Sequence, residues 1–192
     1  MTDPGSEKAL VRRRLLEARR ALDPAALHAA SEALAARIAA LPEVRAARTV
    51  ALYQALRNEI EMLPLWRALE ADGRQVLFPR VHQGTRVLSF APVDDAGELT
   101  VGSLGIREPP PERDVPLEAI DVFVVPALGF DGRGLRLGRG GGYYDATLAA
   151  HPAAFRIGPC LEILERVPAE EHDEPVDLVI TPEAIVRAPP RR

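Results

Sequence analysis

Apolar residues recur at helical spacing from the start of the chain. Val11, Leu15, Ala18 and Leu22 form one stripe within residues 6–22, a stretch of strong helix formers without Gly or Pro. Asp23-Pro24 then reads as an N-cap followed by proline at the first helical position. An Ala-rich second helix is expected over 25–41, stopped near Pro42, so that a helical hairpin opens the chain. Beyond it the pattern alternates. Residues 49–53 predict a buried strand, 64–71 a helix ended by Gly73, 75–79 a second strand and 86–91 a short third one. The Pro-rich stretch 102–116 reads as an irregular surface loop. Residues 120–125 form a continuous apolar strand, and a long Gly-rich loop at 129–142 leads into a short helix at 143–150. Strands at 154–158 and 177–181 follow, then a Pro/Arg-rich tail, 188–192, expected to fray. Strands alternating with helices imply one α/β domain over 1–192, with a mostly parallel sheet covered on both faces. In such sheets ligands gather at the C-terminal strand ends, and the Gly-rich loop leaves from one.

Composition narrows the function. Hydrophobic residues make up 47% of the 192-residue chain and charged ones 27%, which describes a globular protein rather than a disordered one. Twenty-four basic against 28 acidic residues leave a net charge of −4, which argues against a nucleic-acid-binding protein. No apolar run approaches the ~20 residues that span a bilayer, and the charged N-terminus has no apolar signal region. A single cysteine, Cys160, excludes an internal disulfide and a multi-Cys zinc site and fits a reducing cytoplasm. Of the 24 basic residues only Lys8 is a lysine, either by chance survival or because a compact point charge is needed there.

The densest chemical signal is Arg136-Leu137-Gly138-Arg139-Gly140-Gly141-Gly142-Tyr143-Tyr144-Asp145. Glycines let backbone N–H groups close around an anion, the following helix adds its positive end, and the arginines suit phosphate oxygens. Asp145, just inside the helix, is placed to hold a magnesium ion beside those phosphates. The Walker pattern fails for want of Gly-Lys-Ser/Thr, and the dinucleotide fingerprint fails because Tyr143 stands where its third glycine belongs. A flexible surface turn is the alternative. Of the tyrosine pair, one is expected against a flat heterocycle and the other inside, with two core aromatics as the alternative. Lys8 and Arg12, four apart, share a helix face that either leans over a cleft or belongs to a solvated basic face continuing through Arg13, Arg19 and Arg20. Glu59 and Glu61 sit past a strand end, either accepting hydrogen bonds from an N–H-rich ring or opening the next helix. Asp173 offers a second carboxylate to a metal, while the four scattered histidines make no ligand cluster.

Taken in order, these pieces resemble the 5-formyltetrahydrofolate cyclo-ligase family over nearly the whole chain. The resemblance rests on Lys8 with Arg12, on Asn58-Glu59-Ile60-Glu61, Phe78-Pro79-Arg80, Gly105-Ile106-Arg107-Glu108-Pro109, Leu128-Gly129-Phe130-Asp131, Arg136 through Asp145, and Val167-Pro168 through His172-Asp173. It implies a three-layer α/β/α fold and an ATP- and Mg2+-dependent ring closure. The 5-formyl oxygen of a reduced folate is phosphorylated, and N10 attacks the activated carbon. It also implies that Lys8, Arg12 and Arg136, Leu137, Gly138, Arg139, Gly140, Gly141, Gly142, Tyr143 and Tyr144 reach ATP. Gln54 and Glu59 contact the folate, and Arg139 through Tyr143 face both ligands, with Arg139 and Tyr143 assigned to catalysis. Asp145 and Asp173 hold magnesium. Arg80 and Glu108 are further members of the cleft. The expected partners are a reduced folate and ATP, with no nucleic acid and no membrane, for a cytoplasmic monomer. The stretch 158–162 departs from the family pattern, which leaves open a folate- or nucleotide-binding homologue without turnover.

Overall fold

The computed structural model describes residues 4–102 and 104–191; Ser103 of the expected loop and Arg192 of the expected frayed tail lie outside them. The N-terminal helices are α1 (Pro4–Arg20) and α2 (Pro24–Ala39). Asp23 caps α2, its carboxylate accepting from the N–H groups of Ala25 and Ala26 at 3.3 Å each. Pro42 does not simply stop the chain: it opens a third helix, α3 (Pro42–Ala46), because a first helical turn has no use for the N–H that proline lacks.

The main sheet takes β1 (Thr49–Ala51), β2 (Gln75–Arg80) and β3 (Ser89–Pro92), with α4 (Leu63–Ala71) between the first two. A short ribbon, β4 (Thr100–Val101) against β5 (Arg107–Glu108), interrupts the stretch read as irregular loop. Then come β6 (Val122–Val124), β7 (Gly129–Asp131), β8 (Arg136–Leu137), α5 (Tyr143–Ala150), β9 (Phe155–Pro159), β10 (Ile163–Leu164), β11 (Leu178–Ile180) and β12 (Ile185–Arg187). The seven-stranded order is β12-β11-β9-β6-β1-β2-β3. Its five inner strands are parallel and both edge strands antiparallel.

Strand pleat sorts the apolar residues between two cores. Val50, Leu52, Val122, Val124, Leu178 and Ile180 face α2, α3 and α4, where Leu34, Ile38, Val44, Leu65 and Leu69 meet them. Ala51, Leu77, Phe123, Val125 and Val179 face the other way, toward Phe90, Phe130 and Leu148 of α5. Burial on both faces is why residues 122–125 carry no polar alternation.

Three further sequence expectations change. Residues 129–137 are a hairpin, β7 and β8, rather than free loop, and β10 adds a third strand to it. Asp131 makes the turn, fully buried, accepting from the N–H groups of Arg133, Leu135 and Val167. The tail does not fray through Arg191, whose guanidinium meets Asp177 at 2.7 Å and the carbonyls of Pro152 and Ala154. The opening helices part company in space. While α2 packs on α4 and the sheet, α1 crosses the C-terminal ends of the strands, and Lys8 is its one buried side chain among the described residues. No described helix is long and apolar enough to cross a membrane.

Candidate active site

The sheet itself prepares a crevice. From β1 the chain leaves to one side for β2 and later returns on the other as β6, so the strand order reverses there. The segments leaving these strands, Tyr53-Gln54 after β1 and Pro126-Ala127-Leu128 after β6, line a cleft of about 320 Å³. Residues 138–142 wall it, and α1 closes its top through Lys8 and Arg12.

The glycine turn has the backbone its composition suggests. Gly140 and Gly142 adopt positive φ, +98° and +69°, and Gly142 is the N-cap of α5. Arg12 donates from Nε to the carbonyl of Gly138 at 2.8 Å, tying α1 to the turn. Arg139 reaches across the cleft to Glu59, with Nη2 at 2.9 Å and Nε at 3.2 Å from Oε1. The same oxygen accepts from Arg19 at 3.2 Å, and Oε2 takes the N–H of Leu56 at 3.0 Å. Asn58, in the left-handed region at φ +63°, bends the chain so that Glu59 points inward instead of opening α4. Below it the buried Tyr53 hydroxyl donates to the carbonyl of Ile60, and burial holds that phenol well above its ordinary pKa.

Lys8 lies at the far end, 4% exposed. Its ammonium donates to Glu170 Oε2 at 2.5 Å and to Asp173 Oδ2 and Oδ1 at 2.7 and 3.0 Å. Burial pulls its pKa down, but the hydrogen bonds and charges of Asp173 and Glu170 outweigh that and hold it above the ordinary value. Glu170, His172 and Asp173 bring ligand atoms within 4.8 Å of one another, a grouping that the scattered histidines of the sequence do not suggest. Two carboxylates with an imidazole are a donor set that divalent cations accept.

Asp145 is not one of that trio but sits beside it, bonded to the residue after Asp173. Its Oδ1 accepts from Arg136 Nη2 at 2.6 Å and from the N–H of Glu174 at 3.1 Å, and among the described residues its Oδ2 receives nothing. Arg136 and Leu137 lie on β8 beneath the turn. The Arg136 guanidinium, 6% exposed, donates to Asp145 and the Glu174 carbonyl and so braces the loop at the wall of the cleft.

Both tyrosines line the cleft and pack against the second core, though adjacent positions on a helix point differently. Tyr143 is half-buried on the cleft wall. Tyr144 reaches both cores, and its buried hydroxyl has no partner among the described residues. Gln54 lines the cleft near Glu59. Arg19, read as solvated surface, belongs inside: it also donates to the carbonyl of Ala127. The signal was present, because positions 8, 12 and 19 fall within about 40° on a helix of 3.6 residues per turn. Nothing in local spacing marks Glu170, which is 162 residues from Lys8. The atypical stretch 158–162 is well seated, with the N–H of Cys160 on the carbonyl of Ile180 and the buried thiol pushed up to about 12.

Comparison with known proteins agrees with this geometry. The chain is 35% identical to the 5-formyltetrahydrofolate cyclo-ligase of Escherichia coli K12 over 174 residues, covering 87% of this chain and 96% of that one. It is 34% identical to the enzyme of that name from Mycolicibacterium smegmatis over 185 residues, covering 91% and 93%. The NMR structure of Aquifex aeolicus 5,10-methenyltetrahydrofolate synthetase superimposes with a TM-score of 0.82 at 30% identity, covering 96% of this chain and 94% of that one. The model of the 5-formyltetrahydrofolate cyclo-ligase family matches residues 4–182, and with the glycine turn, the arginines and α1 closed over one crevice, the chain belongs to that family.

Proposed function

We propose that the protein converts 5-formyltetrahydrofolate to 5,10-methenyltetrahydrofolate at the expense of ATP. The observation that carries this reading is the convergence of Lys8, Arg12, Arg139 and the glycine turn on one cleft at the point where the strand order reverses, in a chain of this family. The formyl oxygen attacks the γ-phosphorus, and the bond to ADP breaks as the new O–P bond forms. N10 then attacks the activated carbon, its proton is lost to solvent, and phosphate leaves with the C–O bond. A formamide oxygen is a poor leaving group and a phosphate is a good one, so no protein nucleophile is required. The shielded Cys160 thiol agrees with that.

The protein's contribution is positioning and charge neutralisation. Backbone N–H groups of the turn and the guanidinium of Arg12 hold the phosphate chain, and Lys8 supplies a compact charge at its end. Arg136 keeps the turn and Asp145 in place from below. Glu59 orients Arg139, which with Tyr143 stands between the two substrates and meets the phosphoryl group in transit. Gln54 borders the folate. Asp145, through its uncommitted oxygen, and Asp173 would hold magnesium, which when bound neutralises phosphate charge.

The test is a coupled measurement on the purified chain. Methenyl absorbance is expected to appear only with both ATP and 5-formyltetrahydrofolate present, with one ADP formed per product. Folded protein that forms no methenyl product overturns the reading.

A further inference from the structure

Glu108 has a property that its neighbour Glu59 lacks. It is 7% exposed, lines the same cleft, and its Oε1 has no hydrogen-bond partner among the described residues. No described cation lies within ion-pair distance of it, whereas Glu59 is saturated by two arginines and a backbone N–H. The cleft wall that Glu108 shares with Val81, Leu88, Leu104 and Ile106 is apolar. A buried carboxylate without a partner costs several kcal/mol, so its donor is to be sought in what fills the cleft.

The seat is built for that carboxylate. A Cβ on Gly102 would lie 2.1 Å from Glu108 Cδ and 2.3 Å from Oε1, so the carboxylate rests directly on Gly102 and a larger residue there would push it aside. The N–H of Gly102 is held by the carbonyl of Ile106 at 2.8 Å, which fixes this close approach.

We propose that Glu108 is the specificity-determining residue that reads the pterin ring. Its Oε1 is sealed against Gly102, and Oε2 is the oxygen left to accept a charge-assisted hydrogen bond from the 2-amino group on the pyrimidine edge. This rests on the folate reading above. It assigns the two carboxylates different work: Glu59 holds Arg139 toward the reacting formyl group, and Glu108 fixes the far end of the ring.

The test is steady-state kinetics on Glu108→Gln, which keeps the shape and puts one donor against donors. KM for 5-formyltetrahydrofolate is expected to rise about 10- to 100-fold, with KM for ATP unchanged. Gly102→Ala, which displaces the carboxylate without removing it, is expected to move the same constant in the same direction. The decisive arm uses a 2-desamino-2-methyl folate substrate. It costs the wild type most of its affinity and leaves Glu108→Gln nearly unaffected, so the ratio between the two proteins collapses toward one. A merely structural role would leave that ratio unchanged. Wild-type turnover with an unaltered KM in Glu108→Gln overturns this assignment and leaves the activity standing. Absence of folate binding by the wild type overturns both.

Discussion

Two charge networks in this protein look alike until one asks what lies beside them. Behind the sheet ends, Arg156, 1% exposed, donates to Glu174 Oε2 at 2.8 Å and to the carbonyls of Pro175 and Leu148 at 3.0 and 2.6 Å. Asp177 accepts the Arg156 N–H on one oxygen and pairs with Arg191 on the other. None of these residues lines the cleft. At the cleft, Lys8 and Arg139 are paired with carboxylates and Arg12 with the Gly138 carbonyl, yet each borders open space. The first network joins the strands to the C-terminal segment and is complete in itself. The second holds cations at the edge of a void, within reach of whatever fills it. Charge closed against protein braces the fold, and charge held beside a void stays open to a ligand.

The sharpest way to break this contrast is Arg156→Ala. Removing one partner of a buried network strands the other charges, so stability in denaturant titration is expected to fall by about 3–5 kcal/mol. A loss below about 1 kcal/mol would mean the closed network is not structural. Lys8→Met probes the other side. Its kcat/KM is expected to fall about 100-fold, or about 2.7 kcal/mol, while stability drops by only about 1–2 kcal/mol. The sign of the pH dependence follows from the raised Lys8 pKa. Its stabilising charge is fully present below 10.5 and is lost only as the pH climbs through the higher folded value, so its effect stays level through neutral pH. The smallest effect concerns the floor between the two regions. With its thiol pushed up to about 12 and buried, Cys160 is expected to resist alkylation at neutral pH until the protein unfolds, as read by intact mass. Rapid labelling of the folded protein would show a floor that opens.

Much of the architecture was legible because its causes are local. The Asp23-Pro24 cap, the apolar run at 122–125 and the helix starting at Tyr143 follow from side-chain capping, two-faced burial and glycine punctuation. The strands that went unread, β4, β5, β7, β8, β10 and β12, span only two or three residues each, too short to show a period of their own; β4 with β5, β7 with β8 and β12 with β11 are tight antiparallel pairs, and β10 joins β7 from further along the chain. The site followed the same rule. The turn at 138–142 carries its chemistry in its own spacing. Arg19 passed for surface because every other arginine on that helix offered the same composition. Glu170 was invisible because its partner is a residue of the first helix. The inward commitment of Arg136 could not be inferred from its charge, because only the fold supplies Asp145 and the Glu174 carbonyl beside it.

The bond from Lys8 to Asp173 spans 165 positions. During synthesis the helix that roofs the cleft is made first and meets its partners in turn: Glu59, then Ala127, then Gly138, and only near the end Glu170 and Asp173. A ribosome-bound intermediate can therefore bury α2 and α4 on β1 and β2 long before the roof is fastened at its far end. A product cut short before residue 170 would leave Lys8 without either carboxylate and that end of the cleft unlatched.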